Sequence, residues 1–135
     1  MNADDLVACI PRDKHDHAAV ARAAAAGFPA LNPILCDLLE WIQDANWPVA
    51  PQIAALLTSA DAKIVAPVRA ILTGTDGMWK YWTIELLIAR VSPDVFQDLC
   101  PDLERLATAP TRDDRECEAD QAARSVLALR LGSGV

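Results

Sequence analysis

Pro33-Ile34-Leu35-Cys36-Asp37-Leu38-Leu39 recurs 34 residues later as Pro67-Val68-Arg69-Ala70-Ile71-Leu72, and after another 34 as Pro101-Asp102-Leu103-Glu104-Arg105-Leu106. A second marker keeps step with the first: Asp44-Ala45-Asn46-Trp47 returns 32 residues on as Asp76-Gly77-Met78-Trp79. Self-similarity at such a period is the signature of stacked helix pairs, because one helical hairpin cannot bury its own apolar face. Within the first copy, Ile34, Leu35, Leu38, Leu39 and Ile42 form one apolar stripe at helical spacing, with Asp37, Glu40 and Gln43 elsewhere.

Working outward, helical periodicity cut at Pro, Gly and Asp signals predicts seven helices over roughly 15–26, 31–43, 48–59, 61–73, 77–90, 94–109 and 114–131. Gly27-Phe28-Pro29, Gly74-Thr75-Asp76-Gly77 and Ser92-Pro93 supply stop and start chemistry in short links, which force antiparallel neighbours. Each unit reads as a first helix with an early proline, a turn bearing Asp, and a second helix opening near an aromatic. That order resembles a HEAT repeat. The expected fold is all-α: a HEAT-like α-α superhelix of about seven helices, a half repeat at 15–26 followed by three helix pairs, in a single domain over 1–135. A compact helical bundle is the alternative.

Composition agrees with the class. Hydrophobic residues make up 53% of the chain, much of it alanine, and aromatics only 5%, which suits close-packed helices better than a sandwich or barrel. A net charge of -7 argues against affinity for nucleic acid or anionic lipid, both of which need clustered Lys and Arg; it suits a basic protein partner, or serves only to keep the protein soluble. Cys9, Cys36, Cys100 and Cys117 show no paired spacing and no His at zinc-ligand distance in sequence, so they read as reduced core residues. The acidic start, Met1-Asn2-Ala3-Asp4-Asp5, lacks the pattern of a signal peptide, and no run of 18 apolar residues is present; a cytoplasmic location is expected.

Three stretches carry unusual residues. In Ile10-Pro11-Arg12-Asp13-Lys14-His15-Asp16-His17, Asp13 or Asp16 can cap the following helix, the group can form a binding surface, or His15 and His17 can ligate a metal; residues two apart on a helix do not share a face, which counts against the last. In Asp44-Ala45-Asn46-Trp47-Pro48-Val49, Asp44 or Asn46 is placed to cap, Pro48 falls in the first helical turn, and Trp41 lies six residues before Trp47. In Asp76-Gly77-Met78-Trp79-Lys80-Tyr81-Trp82, Trp79 and Trp82 share a helix face with at least one of them in the core, and Lys80 and Tyr81 point elsewhere. The charge run Thr111 to Asp120 reads as a solvated face or loop, whose acid could also meet a basic partner.

The order Ile10-Pro11-x-Asp13-Lys14-His15-Asp16, Leu39-x-Trp41-x-x-Asp44-x-Asn46-Trp47-Pro48-Val49 and Trp79-Lys80-Tyr81-Trp82 resembles a bacterial family, domain of unknown function 5071, whose members are HEAT-like. The resemblance covers residues 10 to about 90 and implies the fold without implying a reaction.

In a stack of hairpins, successive turns share one edge. The expected partner-binding ridge is therefore Asp13, His15, Asp16, Asp44, Asn46, Trp47, Asp76, Trp79 and Lys80. The sequence has no glycine-flanked serine elbow, no Gly-rich phosphate loop and no HExxH helix. DNA-base chemistry on a helical-repeat scaffold needs a basic concave face, and the second helices offer chiefly Lys80, Arg90 and Arg124. The expectation is a non-catalytic protein-protein interaction module with no cofactor or metal, most specifically an immunity or antitoxin-type protein that neutralises a cognate, basic bacterial toxin. The competing reading is a small-molecule-binding protein or enzyme that uses the Trp/His/Asp ridge.

Overall fold

The computed structural model describes residues 1–132, and every regular element among them is helical. Nine α-helices follow in order: α1 (Ala3–Val7), α2 (His17–Ala26), α3 (Leu35–Leu39), α4 (Ala50–Leu57), α5 (Val65–Leu72), α6 (Gly77–Thr83), α7 (Pro93–Thr108), α8 (Arg112–Glu116) and α9 (Ala119–Gly132). Tight 3-10 turns flank α3 at Asn32–Ile34 and Glu40–Ile42 and precede α5 at Ala62–Ile64, and α6 runs on through a wider π turn at Ile84–Ile88.

All seven expected segments are helical, with boundaries moved by their caps. Ser92 accepts the N–H of Val95 and Pro93 opens α7, as its missing N–H permits. Gly27 closes α2 at φ 65°, and the Phe28–Pro29 peptide that follows is cis. Two boundaries differ from expectation. Pro48 lies in the turn before α4, and Pro51, the second residue of the helix, is the proline of its first turn. The segment expected over 114–131 is two helices, α8 and α9, broken at Glu118, which sits at φ 64°. The short α1 was also not anticipated; Asn2 and Asp5 close a reciprocal capping box around it.

The proline phase requires correction. Pro33 is the second residue of its helical run and Pro67 the third residue of α5, but Pro101 is the ninth residue of α7, well inside the helix. First helical runs begin at 32, 62 and 93, so their spacing is 30 and then 31 residues, shorter than the 34 between prolines. Starts are set by the capping residues, and Asp61 and Ser92 do not keep pace with the prolines.

The packing order is that of a two-layer stack. First helices meet in sequence, α3 against α5 and α5 against α7. Second helices do the same, α2 against α4, then α4 and α9 on either side of Ile84–Ile88. The layers join within pairs, α3 with α4, α5 with α6 and α7 with α9. One apolar cluster runs from Cys9 to Val126 between them and includes the whole expected stripe of Ile34, Leu35, Leu38, Leu39 and Ile42. Of the four cysteines only Cys9 is core; Cys36 is exposed, Cys100 is half-buried at the margin of the core, and Cys117 is half-buried against the start of α6. No helix among the described residues is long and apolar enough to cross a membrane.

Arginine finishes the joints. Six of the nine arginines donate to backbone carbonyls, and three of those bonds fall on the ends of helices in the neighbouring layer or pair: Arg105 to Leu72, Arg124 to Ala107 and Arg130 to Ile88, each about 3 Å long. The last four carbonyls of a helix lack intrahelical partners and carry the negative end of its dipole, so a guanidinium satisfies both needs. Arg130 also lies 4.4 Å over the Phe96 ring.

A left-handed backbone conformation costs a side chain about 1 kcal/mol or more that glycine does not pay. Glu118→Gly is therefore expected to raise the urea midpoint, by up to about 1 kcal/mol of stability; a fall in the midpoint would show that the Glu118 side chain holds the α8–α9 corner.

Candidate functional site

The three unusual turns are built by aspartates that each fold the backbone onto one oxygen. Asp13 Oδ1 accepts the N–H of His15 at 2.8 Å, Asp44 Oδ1 that of Asn46 at 2.8 Å, and Asp76 Oδ1 that of Trp79 at 3.0 Å. Asp76 is thereby the cap of α6, and Asp16 is the cap of α2, accepting from Ala19 with one oxygen and from Arg12 with the other. The N–H bonds from Arg12 and Ala19 hold the Asp16 carboxyl below its ordinary titration range. Asp44 and Asn46 do not cap α4, contrary to expectation. That helix opens at Ala50 behind Val49, and Asp44 shapes a separate turn.

Successive turns touch in register. The carbonyl of Lys14 accepts the N–H of Val49 at 3.2 Å, which ties the first turn to the second. The Glu40–Ile42 turn packs on α6, and the Trp79 indole donates to the Leu39 carbonyl at 3.1 Å, which ties the second to the third. Asp13, His15, Asn46 and Asp76 are exposed along this edge, and Asp16, Asp44, Trp47 and Trp79 are half-buried. Trp47 packs edge-on against Trp41 at 5.5 Å, so the two indoles stiffen each other beside the Asp44 turn. His15 and His17 do not converge: the His17 ring bonds the Gln52 side chain at 3.1 Å. Among the described residues no group of three or more His, Cys, Asp or Glu is placed to hold a metal ion.

Lys80, expected on the same ridge, is a correction. It is 2% exposed, and its ammonium lies 2.7 Å from the Asp114 carboxylate, itself fully buried. The inward stripe of this helix is Gly77, Lys80, Thr83, Ile84, Leu87 and Ile88, and Trp79 and Trp82, which share another face, are both half-exposed, so the expectation that one of them is fully core does not hold. Trp82 packs edge-on against Tyr81 at 4.8 Å. The helix turns its lysine inward because α8 brings an acid to meet it.

Asp114 overturns the reading of residues 111–120 as a solvated run, and Asp120 is buried as well. Thr111 and Asp114 close a capping box, Asp114 N–H to Thr111 Oγ1 at 3.1 Å and Thr111 N–H to Asp114 Oδ2 at 2.9 Å, which leaves Oδ1 for Lys80. Burial pushes the Asp114 carboxyl up, but bonds from Lys80 and Thr111 outweigh it and hold the group below the ordinary value. One residue earlier, Asp113 accepts the N–H of Gly77 at 2.8 Å, and a Cβ on Gly77 would lie 2.7 Å from that carboxylate and 2.9 Å from Cys117 Sγ. Only glycine lets α8 seat so closely on the start of α6. The Thr111-x-x-Asp114 box was legible in the sequence; the partner that Asp114 would find was not.

The family model described as a domain of unknown function, DUF5071, matches residues 9–127, all but the first eight and the last eight residues. No curated protein matches the chain.

Removing one partner of a buried ion pair strands the other, at a cost of about 3–5 kcal/mol. Lys80→Met is expected to lose about that much at pH 7, and adding Asp114→Asn should recover part of it. In the wild type the contribution of Asp114 is complete above its unfolded-state pKa of about 3.9 and is lost as pH falls through the lower folded value. In Lys80→Met the stranded carboxylate gains from protonation, so the gap to wild type should narrow as the pH approaches 4. Urea midpoints across pH 3.5–7 for the three proteins test this, and a gap independent of pH would contradict the pairing.

Proposed function

We propose that this chain, which belongs to the DUF5071 family, is a non-catalytic interaction module whose turn edge binds a basic protein surface. The observation that carries the reading is the row of Asp13, Asp44 and Asp76. Each carboxylate is fixed by a backbone N–H through a single oxygen, and half-buried indoles stand beside them. Fixed carboxylates lose little freedom when they bind, and partly exposed Trp is the residue type most often dominant at interfaces.

The burial of Lys80 strengthens the acidity that a partner would meet. With Lys80 sealed in the core, no exposed Lys or Arg adjoins Asp44 or Asp76 in the chain, and the cations of the edge are Arg12 and Lys14 beside Asp13, with Arg22 across the same depression. A protein partner is favoured over a small molecule because the expected ridge residues line separate depressions. His15 shares one with Arg12, Asp13, Asp16 and Arg22, whereas Trp79 shares another with residues of α3 and α5. A surface of that shape suits a broad contact.

The two-layer order of the helix pairs supports a HEAT-like description of the stack. In the most specific form of the reading, the protein acts in the bacterial cytoplasm as an immunity or antitoxin-type protein and blocks a basic toxin. Small size and net acidity support that form.

The test is binding of the full chain to the product of the reading frame adjacent to its gene, measured by calorimetry. Substituting His15, Asp44 and Trp47 together by Ala should weaken binding at least about a hundredfold while the circular dichroism stays helical. Unchanged affinity in a folded triple variant would remove the edge from the interface. An adjacent product that neither binds nor harms cells lacking this protein would remove the immunity form.

A further inference from the structure

Where α3 crosses α5, Cys36 and Leu39 on one helix and Pro67, Ala70 and Ile71 on the other leave an open pit of about 180 Å³, closed at one end by Trp79. It exists because the facing residues are small: Cys36 and Ala70 are exposed side chains that stop short of each other across the junction. The end wall is rigid, since the Trp79 indole N–H is fixed on the Leu39 carbonyl and the Trp79 backbone N–H on Asp76. Neither polar atom of the wall residue is free to fold the ring over the gap.

The surroundings of this apolar pit are acidic. Asp37 follows Cys36, Glu40 lies one helical turn beyond Cys36, and Asp76 holds the Trp79 backbone at the foot of the wall, and all three are exposed. The nearest cation by sequence, Arg69 beside Ala70, is committed to Asp102 at 2.9 Å and to the Asp98 carbonyl at 2.8 Å. Apolar cavities of ~150 Å³ hold a benzene, so the pit has room for one large apolar side chain and little more.

We propose that this pit is the anchor socket of the interface: it receives a leucine-sized or phenyl-sized side chain from a partner segment in which that residue is flanked by Lys or Arg. The inference rests on the reading of a basic partner given above and adds what that partner must carry. Trp79 belongs to the edge and to the socket at once, and Asp76 bonds its backbone, so a segment lying along the edge reaches the socket without leaving the surface. The apolar side chain supplies desolvation in the pit, and its cationic neighbours meet Glu40 and Asp76 at the rim.

Three capped tripeptides probe the socket on the isotope-labelled full chain by NMR: Lys-Leu-Lys, Lys-Ser-Lys and Glu-Leu-Glu. Lys-Leu-Lys should shift the Trp79 indole N–H, assigned with Trp79→Phe, together with the amides of Cys36, Ala70 and Ile71, at millimolar concentration. Lys-Ser-Lys and Glu-Leu-Glu should bind at least about tenfold more weakly, the first for want of an anchor and the second for its charge. Ala70→Trp, which fills the pit from an exposed helix position, should abolish the response and leave the rest of the spectrum native. Equal responses to the three peptides, shifts that map elsewhere, or no shifts would overturn the socket. In calorimetry with the adjacent gene product, wild-type affinity in Ala70→Trp would overturn it while the edge reading stands. A wild-type tripeptide response in a chain that binds no basic protein would remove the edge reading and leave the socket as a site for basic-flanked apolar side chains.

Discussion

Lys80 and Asp114 leave water together, and neither charge is tolerable in the interior without the other. That constraint reaches far beyond the two side chains. To keep Asp114 against Lys80, α8 must sit on the first turn of α6, and it can do so only because Gly77 has no Cβ to push Asp113 and Cys117 away. With α8 seated, the chain turns back at Glu118 and delivers α9 to its place beside Ile84–Ile88 and α7. The closing helix pair of the stack is thus located by a polar contact in addition to the apolar core that it shares with the earlier pairs.

The same pair accounts for the chemistry of the surface. A lysine in the middle of a Trp-rich turn would otherwise place a positive charge within the row of Asp13, Asp44 and Asp76. Turning it inward leaves Asp44 and Asp76 with no exposed cation beside them in the chain, whereas Arg12 and Lys14 stay exposed beside Asp13. Arg105, Arg124 and Arg130 follow a parallel logic, since their guanidinium groups are bound to helix carbonyls and are partly neutralised by the dipoles they cap. A net charge of -7 spread over a small protein says little about direction; the internal use of cations gives that charge a side.

The aromatic residues divide the work between stiffness and contact. Trp41 with Trp47, and Tyr81 with Trp82, pack edge-on in pairs that leave part of each ring uncovered, and Trp79 is pinned through its indole N–H. Rings held in this way present apolar area at a low entropic cost, which is what a recognition surface requires and what a fully buried core residue cannot offer. The pit beside Trp79 is the place where that fixed area becomes concave.

The seven expected helical segments, the stripe from Ile34 to Ile42, the caps at Asp16, Asp76 and Ser92, and the shared edge of the turns were legible in the chain itself, because periodicity and capping are local properties read over a few residues, whereas α1 and the break between α8 and α9 at Glu118 were not foreseen. The proline repeat was legible too but misread as structural phase: a proline is tolerated at several positions of a helix, and the caps, not the prolines, set where each helix begins. Lys80, Asp114 and the pit between Cys36 and Ala70 lay beyond local reading. Their environments are made by residues some 34 positions away, which only the packing of one helix on another brings within hydrogen-bonding or van der Waals distance. Sequence alone determined that this is a stack of helical hairpins with an acidic, Trp-bearing edge. Tertiary structure decided which charges that edge keeps and where it is hollow, because burial is a property of neighbours that the chain does not list in order.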